Sequence, residues 1–351
     1  MFCIFFGFSS VVTQVYFFLS AAYFSAAVHT EGANHNQTGI SAVARNKPVK
    51  IILAAMFISF VVFNVRLNVS IWLADINFKK AAAHAAVNLS ASVSYLQKSV
   101  SLNPMEDAYR LELARVFGML YDQKKNPVHF LMAVHAYKEI LGHHGNDVMA
   151  LYGLGNLYAA RGAQQTKTSD LQLAADYFLS AHKLYPVYPV FLVKAGELFY
   201  ELSLRQDKSA NLATAFSYTE NAMQLDPRNF EALFLMAKIY YGERKLSSAL
   251  KQLYAAAALY PEKSHLYVWL GNIYAEMGQF KEAIFSYNKA LKTNPVFPAG
   301  IYYEMAKASM NMGQLQQAET FVRKALVLQK HYPPARELLQ RIQKKQNLRA
   351  R

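Results

Sequence analysis

Small side chains recur between apolar ones at regular intervals along this chain, and they predict pairs of packed helices. Six apolar segments each contain a central pair in which Ala or Gly follows an apolar or small residue. The pairs are Leu113-Ala114, Leu154-Gly155, Ala195-Gly196, Met236-Ala237, Leu270-Gly271 and Met305-Ala306. An alanine lies downstream of each pair, at Ala133, Ala174, Ala215, Ala249, Ala283 and Ala318. Because such self-similarity is typical of helical repeat arrays, we expect an array whose groove favours binding over catalysis.

The clearest copy of the pattern runs from Ser264 to Val296. Its marker residues are Trp269-Leu270-Gly271, Tyr274, Gly278, Phe280, Ala283, Tyr287, Ala290 and Pro295. This segment resembles the tetratricopeptide repeat, a helix–turn–helix unit of about 34 residues. Leu270 and Tyr274 share one helical face, and Gly278 suits the turn between the two helices. The resemblance implies an all-α fold built as a solenoid.

The spacing between copies has two values, which divides the repeats into two classes. Successive pairs are separated by 41, 41, 41, 34 and 35 residues. The three early copies therefore carry about seven extra, mostly polar residues between their helices, near residues 122–126, 164–169 and 205–209. Seven residues amount to about two helical turns, so either each helix is one turn longer or the connection is a loop. The inserts are either tolerated surface segments or a basic edge that contacts a membrane or partner.

The repeats define an array with partial units at both ends. We predict a membrane hairpin over 1–74, an array over 75–332, and a capping helix with a basic tail over 333–351. Full repeats are expected near 107–146, 148–187, 189–228, 230–262, 264–297 and 299–332. Ala74 to Pro104 forms a degenerate first unit. The charged helix that follows Pro333-Pro334 suits a cap, which an array needs to shield its last apolar face.

The amino-terminal region predicts two membrane spans. Residues 1–28 contain no Asp, Glu, Lys or Arg, and a second apolar run over about 51–72 is interrupted by Arg66. Each run is long enough to cross a bilayer, so we expect spans at about 2–28 and 51–72 joined by a polar loop over 29–50. A cleaved signal peptide is the alternative for the first run, but no positive charge precedes it. Arg66 marks either a functional intramembrane charge or the end of the hydrocarbon segment, with Trp72 as an interfacial anchor.

Charge and chemistry exclude several classes of function. The chain has a formal net charge of +14; four of its 37 Lys and Arg and one of its 23 Asp and Glu precede Asp75, which leaves the repeat region at about +11. This charge favours anionic lipid or an acidic partner, whereas no basic run has the density expected for nucleic-acid binding. The single Cys3 allows no internal disulfide, and the ten histidines form no metal-binding pattern. We therefore predict no catalytic residue, metal or cofactor.

The tetratricopeptide resemblance implies which side chains line the groove. In this family the first helix of each unit faces a partner, with positions 2, 5, 9 and 12 of the unit pointing into the groove. At these positions the chain has a mixture of aromatic and polar residues. The predicted partner-binding residues are Arg115, Tyr152, Asn156, Tyr200, Phe234, Lys238, Tyr241, Asn272, Tyr303 and Lys307. The chaperone-type carboxylate clamp lacks its lysines here, so we do not expect a reader of free C-termini.

A second resemblance lies in the membrane part. Residues 6–19 and 65–81 look like the last two spans of bacterial O-antigen ligase or polymerase-type membrane proteins that carry a tetratricopeptide tail. This resemblance implies that the chain is the C-terminal piece of a larger glycan enzyme whose catalytic spans lie elsewhere. It places the repeats in the cytoplasm, whereas Arg45, Lys47 and Lys50 in the loop slightly outnumber Lys79 and Lys80, which favours the opposite side. Membrane orientation is therefore left open.

Taken together, the sequence predicts a scaffold anchored in a lipid bilayer, in the bacterial inner membrane. Its expected partner is a protein or peptide bound along the groove, in the context of cell-envelope assembly. The glycan-enzyme fragment is the alternative. A basic array that binds anionic lipid, with an incidental groove, is a third hypothesis.

Overall fold

The described part of the chain is entirely helical. The computed structural model describes residues 47–349, and it contains fifteen helices and no strand within that range. Two compact units divide these residues, one ending at Gly145 and one beginning at Asn146. Unit 1 contains α1 (Lys47–Ala85), α2 (Leu89–Leu102), α3 (Asp107–Lys124) and α4 (Pro127–His143). The all-α prediction is thus confirmed for the described residues.

Unit 2 is a series of five helical hairpins followed by a single helix. Its helices are α5 (Val148–Gln164), α6 (Thr168–Leu184), α7 (Pro189–Ser203), α8 (Lys208–Leu225), α9 (Phe230–Gly242), α10 (Leu246–Leu259), α11 (Ser264–Glu276), α12 (Phe280–Lys292), α13 (Pro298–Asn311), α14 (Leu315–Leu328) and α15 (Pro333–Arg349). Each hairpin corresponds to one predicted repeat.

Helix α1 is unusually long because nothing in its sequence interrupts it. The run from Val49 to Ala85 contains neither Gly nor Pro, the residues that most often end a helix. Asn64 and Asn68 satisfy their own side chains by donating to the carbonyl oxygens of Phe60 and Asn64, at 2.8 and 2.7 Å. The amino-terminal part of α1 leaves its apolar side chains exposed. In the described chain it contains the one helix segment long and apolar enough to cross a membrane, Ala54–Ala85.

The predicted two-span membrane hairpin is not confirmed, since the described residues include only its second span. The span predicted at 2–28 and residues 29–46 of the loop lie outside the described residues. The last four residues of that loop, 47–50, belong to α1, and the second predicted span at 51–72 also lies within it. The helix then continues across the predicted boundary at residue 74 into the degenerate first repeat.

In unit 1, small residues allow α1 and α2 to pack closely. Ala74 and Ala81 of α1 are fully buried. Ser99 and Ser92 of α2 donate to the carbonyl oxygens of these two alanines, each at 2.9 Å. Ser70 donates to the carbonyl oxygen of Leu102 at 2.6 Å, so α2 reaches back along α1 as far as Ser70. The predicted degenerate unit from Ala74 to Pro104 is thus a helical hairpin.

In unit 2, alanine and glycine occupy the positions at which paired helices approach most closely. Ala174, Ala215, Ala249, Ala283 and Ala318 are all completely buried. A Cβ atom on Gly271 would lie 2.4 Å from Cε1 of Tyr287, and one on Gly155 would lie 2.7 Å from Cε1 of Phe178. Both distances are below van der Waals contact, so these crossings require glycine as long as the aromatic ring stays in place. The repeating small residues therefore set the spacing within each hairpin.

The seven extra residues of the early repeats extend the helices and do not form a loop. Helices α5 and α6 have 17 residues each, whereas α11 and α12 have 13 each. The turns are equally short, since three residues connect α5 to α6 (165–167) and three connect α11 to α12 (277–279). Four additional residues are about one helical turn. Of the two alternatives that the sequence left open, the longer helices are the ones observed.

The last helix covers the end of the array. Ala335, Leu338 and Ile342 of α15 are buried in one cluster with Ala318, Val322 and Ala325 of α14. The remaining surface of α15 is rich in exposed charged side chains. It therefore presents an apolar side to α14 and a polar side to solvent, the arrangement expected of a capping helix.

Candidate partner-binding surface

The first helices of the unit 2 hairpins, α5, α7, α9, α11 and α13, carry the predicted site residues of this unit, and we call this surface the first-helix face. Its central feature is a set of contacting aromatic rings on α9 and α11. The ring of Trp269 lies 5.7 Å from that of Phe234 and 5.5 Å from that of Tyr241, in edge-to-face geometry. His265 lies 5.0 Å from Phe234, and Phe230 stacks on Phe234 at 6.0 Å. Phe234, Tyr241 and Trp269 are each only partly buried.

Helical spacing explains why these rings meet. Residues 230 and 234, and likewise 265 and 269, are four apart and therefore lie on one side of their helices. Edge-to-face pairs at these distances are favourable because the positive edge of one ring meets the negative face of the next. The result is a rigid aromatic surface on two successive repeats that remains open to contact.

A lysine and a tyrosine from neighbouring repeats form the second feature of this face. The Nζ atom of Lys238 on α9 lies over the ring of Tyr200 on α7, 4.6 Å from its centroid. Burial lowers the pKa of Lys238, an effect that Glu197 and Glu201 partly oppose. Burial also raises the pKa of Tyr200. The ammonium group is therefore held in a partly desolvated position against an aromatic ring.

The carboxylates beside Lys238 are already paired with other cations. Lys194 donates to Glu197 at 2.8 Å, and Arg205 donates to Glu201 at the same distance. Burial lowers the pKa of Lys194, but the hydrogen bond and charge of Glu197 outweigh it, and the net effect is a raised pKa. The first-helix face thus has two ion pairs on and next to α7, beside the aromatic residues of α9.

The two ends of the first-helix face are simpler. On α5, the ring of Tyr152 packs against Phe178 and Phe191 at 5.6 and 6.1 Å. On α13, Lys307 pairs with Glu304 at 2.9 Å and lies 5.4 Å from the ring centroid of Tyr303. The α13 end therefore repeats the combination of aromatic ring and charged group found in the centre, whereas the α5 end consists of aromatic contacts.

The structure brings together only some of the predicted site residues. Phe234 and Tyr241 share Trp269 as a neighbour, Tyr200 meets Lys238, and Tyr303 meets Lys307. Asn272 accepts a hydrogen bond from the Tyr287 hydroxyl at 2.7 Å. Asn272 therefore has a structural role within its hairpin. Asn156 is exposed on α5.

Two of the predicted residues, Tyr200 and Arg115, do not belong to the accessible first-helix face of unit 2. Tyr200 has only 8% of its surface exposed and belongs to a core cluster with Leu212 and Ile239. It therefore supports Lys238 and is a poor direct contact for a partner. Arg115 lies in unit 1, on α3, where its guanidinium pairs with Glu112. Arg115 is thus not part of the first-helix face of unit 2.

Sequence reasoning missed His265 and Trp269. His265 occupies position 2 of its unit, which the resemblance places in the groove, but no residue at this position was selected as a site residue. Trp269 occupies position 6, next to the groove position 5. Their spacing of four residues, together with Phe230 and Phe234 one repeat earlier, was the signal that could have identified them.

Another aromatic surface occurs elsewhere in unit 2. An open cleft of 290 Å³ is lined by Tyr254, Tyr274, Lys281, Glu282, Phe285 and Ser286. The hydroxyl groups of Tyr254 and Tyr274 lie 2.7 Å apart, and burial, followed by this hydrogen bond, raises the pKa of Tyr254 to about 12. Phe285 is 64% exposed. In residues 47–349, no group of three His, Cys, Asp or Glu side chains is placed to hold a metal ion.

Comparison with known families identifies the repeats. Two tetratricopeptide repeat family models match this chain, one at residues 266–297 and the other at 299–332. The two matches coincide with α11–α12 and α13–α14, two of the three hairpins that have the shorter helices. Tetratricopeptide repeats are therefore present, as the sequence predicted near 264–297 and 299–332. No curated protein matches the chain.

Solved structures share the fold across most of the chain. A tetratricopeptide repeat protein from Parabacteroides merdae is similar with a TM-score of 0.56 and 16% identity, covering 78% of this chain and 99% of its own. PilW, described as a widely conserved type IV pilus biogenesis factor, is similar with a TM-score of 0.52 and 16% identity, covering 66% of this chain and 98% of its own. At such identities the likeness establishes a tetratricopeptide-type architecture and nothing about a shared partner.

Proposed function

We propose that this protein is a scaffold that binds a protein or peptide partner on the first-helix face of unit 2. The observation that carries the proposal is the set of partly exposed rings formed by Phe234, Tyr241 and Trp269 on two successive repeats. Large aromatic side chains dominate binding energy at interfaces because each buries much apolar area at a small entropic cost. A repeat array presents such residues in a row, which suits an extended or helical segment of a partner. The proposed activity is binding without catalysis.

We further propose that α1 tethers the scaffold to a lipid bilayer. Its exposed apolar side chains include Ile51, Met56, Ile58, Val62, Phe63, Val65 and Leu67. A hydrogen bond joins Ser70 to Leu102, so α2 packs on α1 from Ser70 onward. The exposed side chains named above all precede Ser70, within residues 47–69 of the helix. These 23 residues span about 34 Å, close to the roughly 30 Å hydrocarbon thickness of a bilayer.

The ends of this segment also suit an anchor. Trp72 is half-exposed just beyond it, where an indole ring is favoured at a membrane surface. Arg66 lies in the last turn of this segment, near the proposed boundary and away from the membrane centre. A bacterial inner-membrane location and a role in cell-envelope assembly extend this proposal. The resemblance to glycan ligases and polymerases stays a prediction.

Site-specific photo-crosslinking in native membranes tests the binding surface. A photoreactive amino acid is placed at Tyr241, on the first-helix face, and at Phe285, an even more exposed aromatic residue in the cleft. We expect a discrete adduct from position 241 that is lost when Trp269→Ala is added, and no such adduct from position 285. Equal adducts from both positions, or an adduct from 241 that survives Trp269→Ala, would reject the proposed surface.

A further inference from the structure

We propose that Lys238 recognises a carboxylate side chain, Asp or Glu, in the partner segment that binds the first-helix face. This inference rests on the proposed function and specifies the chemistry of the partner. It predicts a peptide in which an acidic residue lies close to an apolar or aromatic residue, since Lys238 is on the same helix as Phe234 and Tyr241.

Lys238 is a cation that has no anion in ion-pair contact within the described chain. In the part of the chain that the structure describes, no carboxylate oxygen lies within 4.0 Å of its Nζ atom. Two other lysines of this face form ion pairs, Lys194 with Glu197 and Lys307 with Glu304. Lys238 therefore differs from its neighbours in having an ammonium group available for an external partner.

The acidic residues near Lys238 do not form ion pairs with it. Glu197 and Glu201 lie close enough to favour the charged form of Lys238. Each is already bound to its own cation, Glu197 to Lys194 and Glu201 to Arg205. With Glu231, which also acts on Lys194, these side chains carry no net charge. Lys238 is the cation among them that has no carboxylate within ion-pair distance in the described chain.

The burial and the orientation of Lys238 also favour an external carboxylate. Lys238 is half-buried, and its ammonium group lies over the Tyr200 ring, which fixes the direction of its stem. A desolvated charge is costly until it is paired, and a charge-assisted hydrogen bond to a carboxylate relieves that cost. Tyr200, itself buried, acts as a positioning residue for this lysine.

The experiment uses the full chain in nanodiscs of zwitterionic lipid and a probe that is independent of the natural partner. Random peptides of about a dozen residues are displayed on phage as fusions without a free C-terminus and are selected against the wild-type chain. The recovered peptides are then synthesised with Glu or Asp and with the matching Gln or Asn, each with free and amidated C-termini. Their affinities are measured for wild type, Lys238→Met, Lys238→Arg and Lys289→Met.

Lys238→Met keeps the apolar stem over Tyr200 and removes only the charge. Lys289→Met is the matched control, because Lys289 also lies over aromatic rings, 5.2 Å from the Phe285 centroid, but on a second helix. We expect a Glu-to-Gln change in the peptide to weaken binding at least about tenfold in wild type, Lys238→Arg and Lys289→Met. We expect no such difference in Lys238→Met.

The outcomes separate this inference from the proposed function. If no peptide is enriched over empty nanodiscs, both are rejected. If peptides bind but show no acidic preference, or keep that preference in Lys238→Met, the scaffold function stands and the inference is wrong. A dependence on the free C-terminus in place of the side-chain carboxylate would likewise overturn it.

Discussion

Arg161 on α5 and Asp170 on α6 form a two-pronged ion pair across the tip of their hairpin, with Nη2 to Oδ1 at 2.8 Å and Nε to Oδ2 at 2.5 Å. The Asp170 side chain is almost completely buried. Arg205, in the next hairpin connection, donates to the carbonyl oxygen of Gly162 at 2.9 Å. These bonds lie in the extra turn that distinguishes the early repeats, beside the buried side chain of Leu171, and they help to hold the lengthened helices together.

Removal of this pair should destabilise unit 2. Arg161→Met leaves a buried carboxylate without its main partner, and we expect a loss of about 2–4 kcal/mol in the free energy of unfolding, since Arg161 itself is partly exposed. Lys167→Met is the control, because Lys167 approaches the same carboxylate at 3.6 Å from an exposed position and should cost less than about 1 kcal/mol. Urea unfolding followed by circular dichroism measures both. Equal midpoints for the two variants would contradict this account.

Gly271 should tolerate no side chain. In Gly271→Ala the new methyl group meets the ring of Tyr287, and we expect a loss of about 1–3 kcal/mol through overpacking. Gly142→Ala is the matched control, since a Cβ atom there has no neighbour within 4 Å and alanine favours helix over glycine. The control should therefore be neutral or slightly stabilising. Thermal melts of both variants decide the matter, and an unshifted melt for Gly271→Ala would show that the Tyr287 ring moves freely aside.

If α1 anchors the protein in a membrane, charges introduced into its exposed apolar part should weaken membrane association, and charges at other exposed sites should not. Ile58→Lys combined with Val62→Lys places two charges in the exposed apolar part of α1, at a cost of about 2.5–3.5 kcal/mol per lysine in a membrane interior. We expect this variant to leave the alkali-resistant membrane fraction. Val87→Lys combined with Val296→Lys adds the same charges at fully exposed sites outside that segment and should fractionate as wild type does. Retention of the Ile58/Val62 variant in the membrane would argue against α1 as an anchor.

The stability of unit 2 should fall in mildly acidic solution. Burial lowers the pKa of His182 below its ordinary 6.5, and burial together with Lys263 lowers that of His265. Below pH 6.5 the unfolded chain therefore binds protons that the folded chain does not, and stability decreases as pH falls. The buried Nδ1 atom of His182 also has no hydrogen-bond partner in the described residues.

Melting temperatures measured between pH 7.5 and about 5 test this pH dependence. His182→Leu should flatten the curve, whereas His331→Leu, which changes an exposed imidazole in unit 2, should leave its slope unchanged. A wild-type melting temperature that rises toward acid would reverse the sign of the argument.

Much of the fold followed from a few small residues. Ala283 and Gly271 predicted a close crossing because only small side chains allow it, and the structure has that crossing in each hairpin. Whether the inserts were loops or helical turns could not be decided from sequence, because polar residues such as Lys167 suit both. The deciding contact, Arg161 with Asp170, joins residues nine positions apart whose facing depends on the hairpin itself.

The candidate site was predicted less completely. Positions along single helices identified Phe234, Lys238 and Tyr241, but contacts between repeats decide which side chains remain accessible. Tyr200 was expected in the groove and is buried, because α8 and α9 close around it. Trp269 was missed because its neighbours come from the preceding repeat, and a periodicity within one helix contains no information about them.

The uninterrupted course of α1 has a mechanical consequence. With 39 residues it is a rod of about 58 Å, and its part from Ser70 onward is fastened to α2. If the amino-terminal half is anchored as proposed, a change of about 10° in its tilt would move the far end by roughly 10 Å. A change in bilayer thickness would then displace the helices of unit 1 that pack on α1, because this helix has no hinge that could absorb the motion.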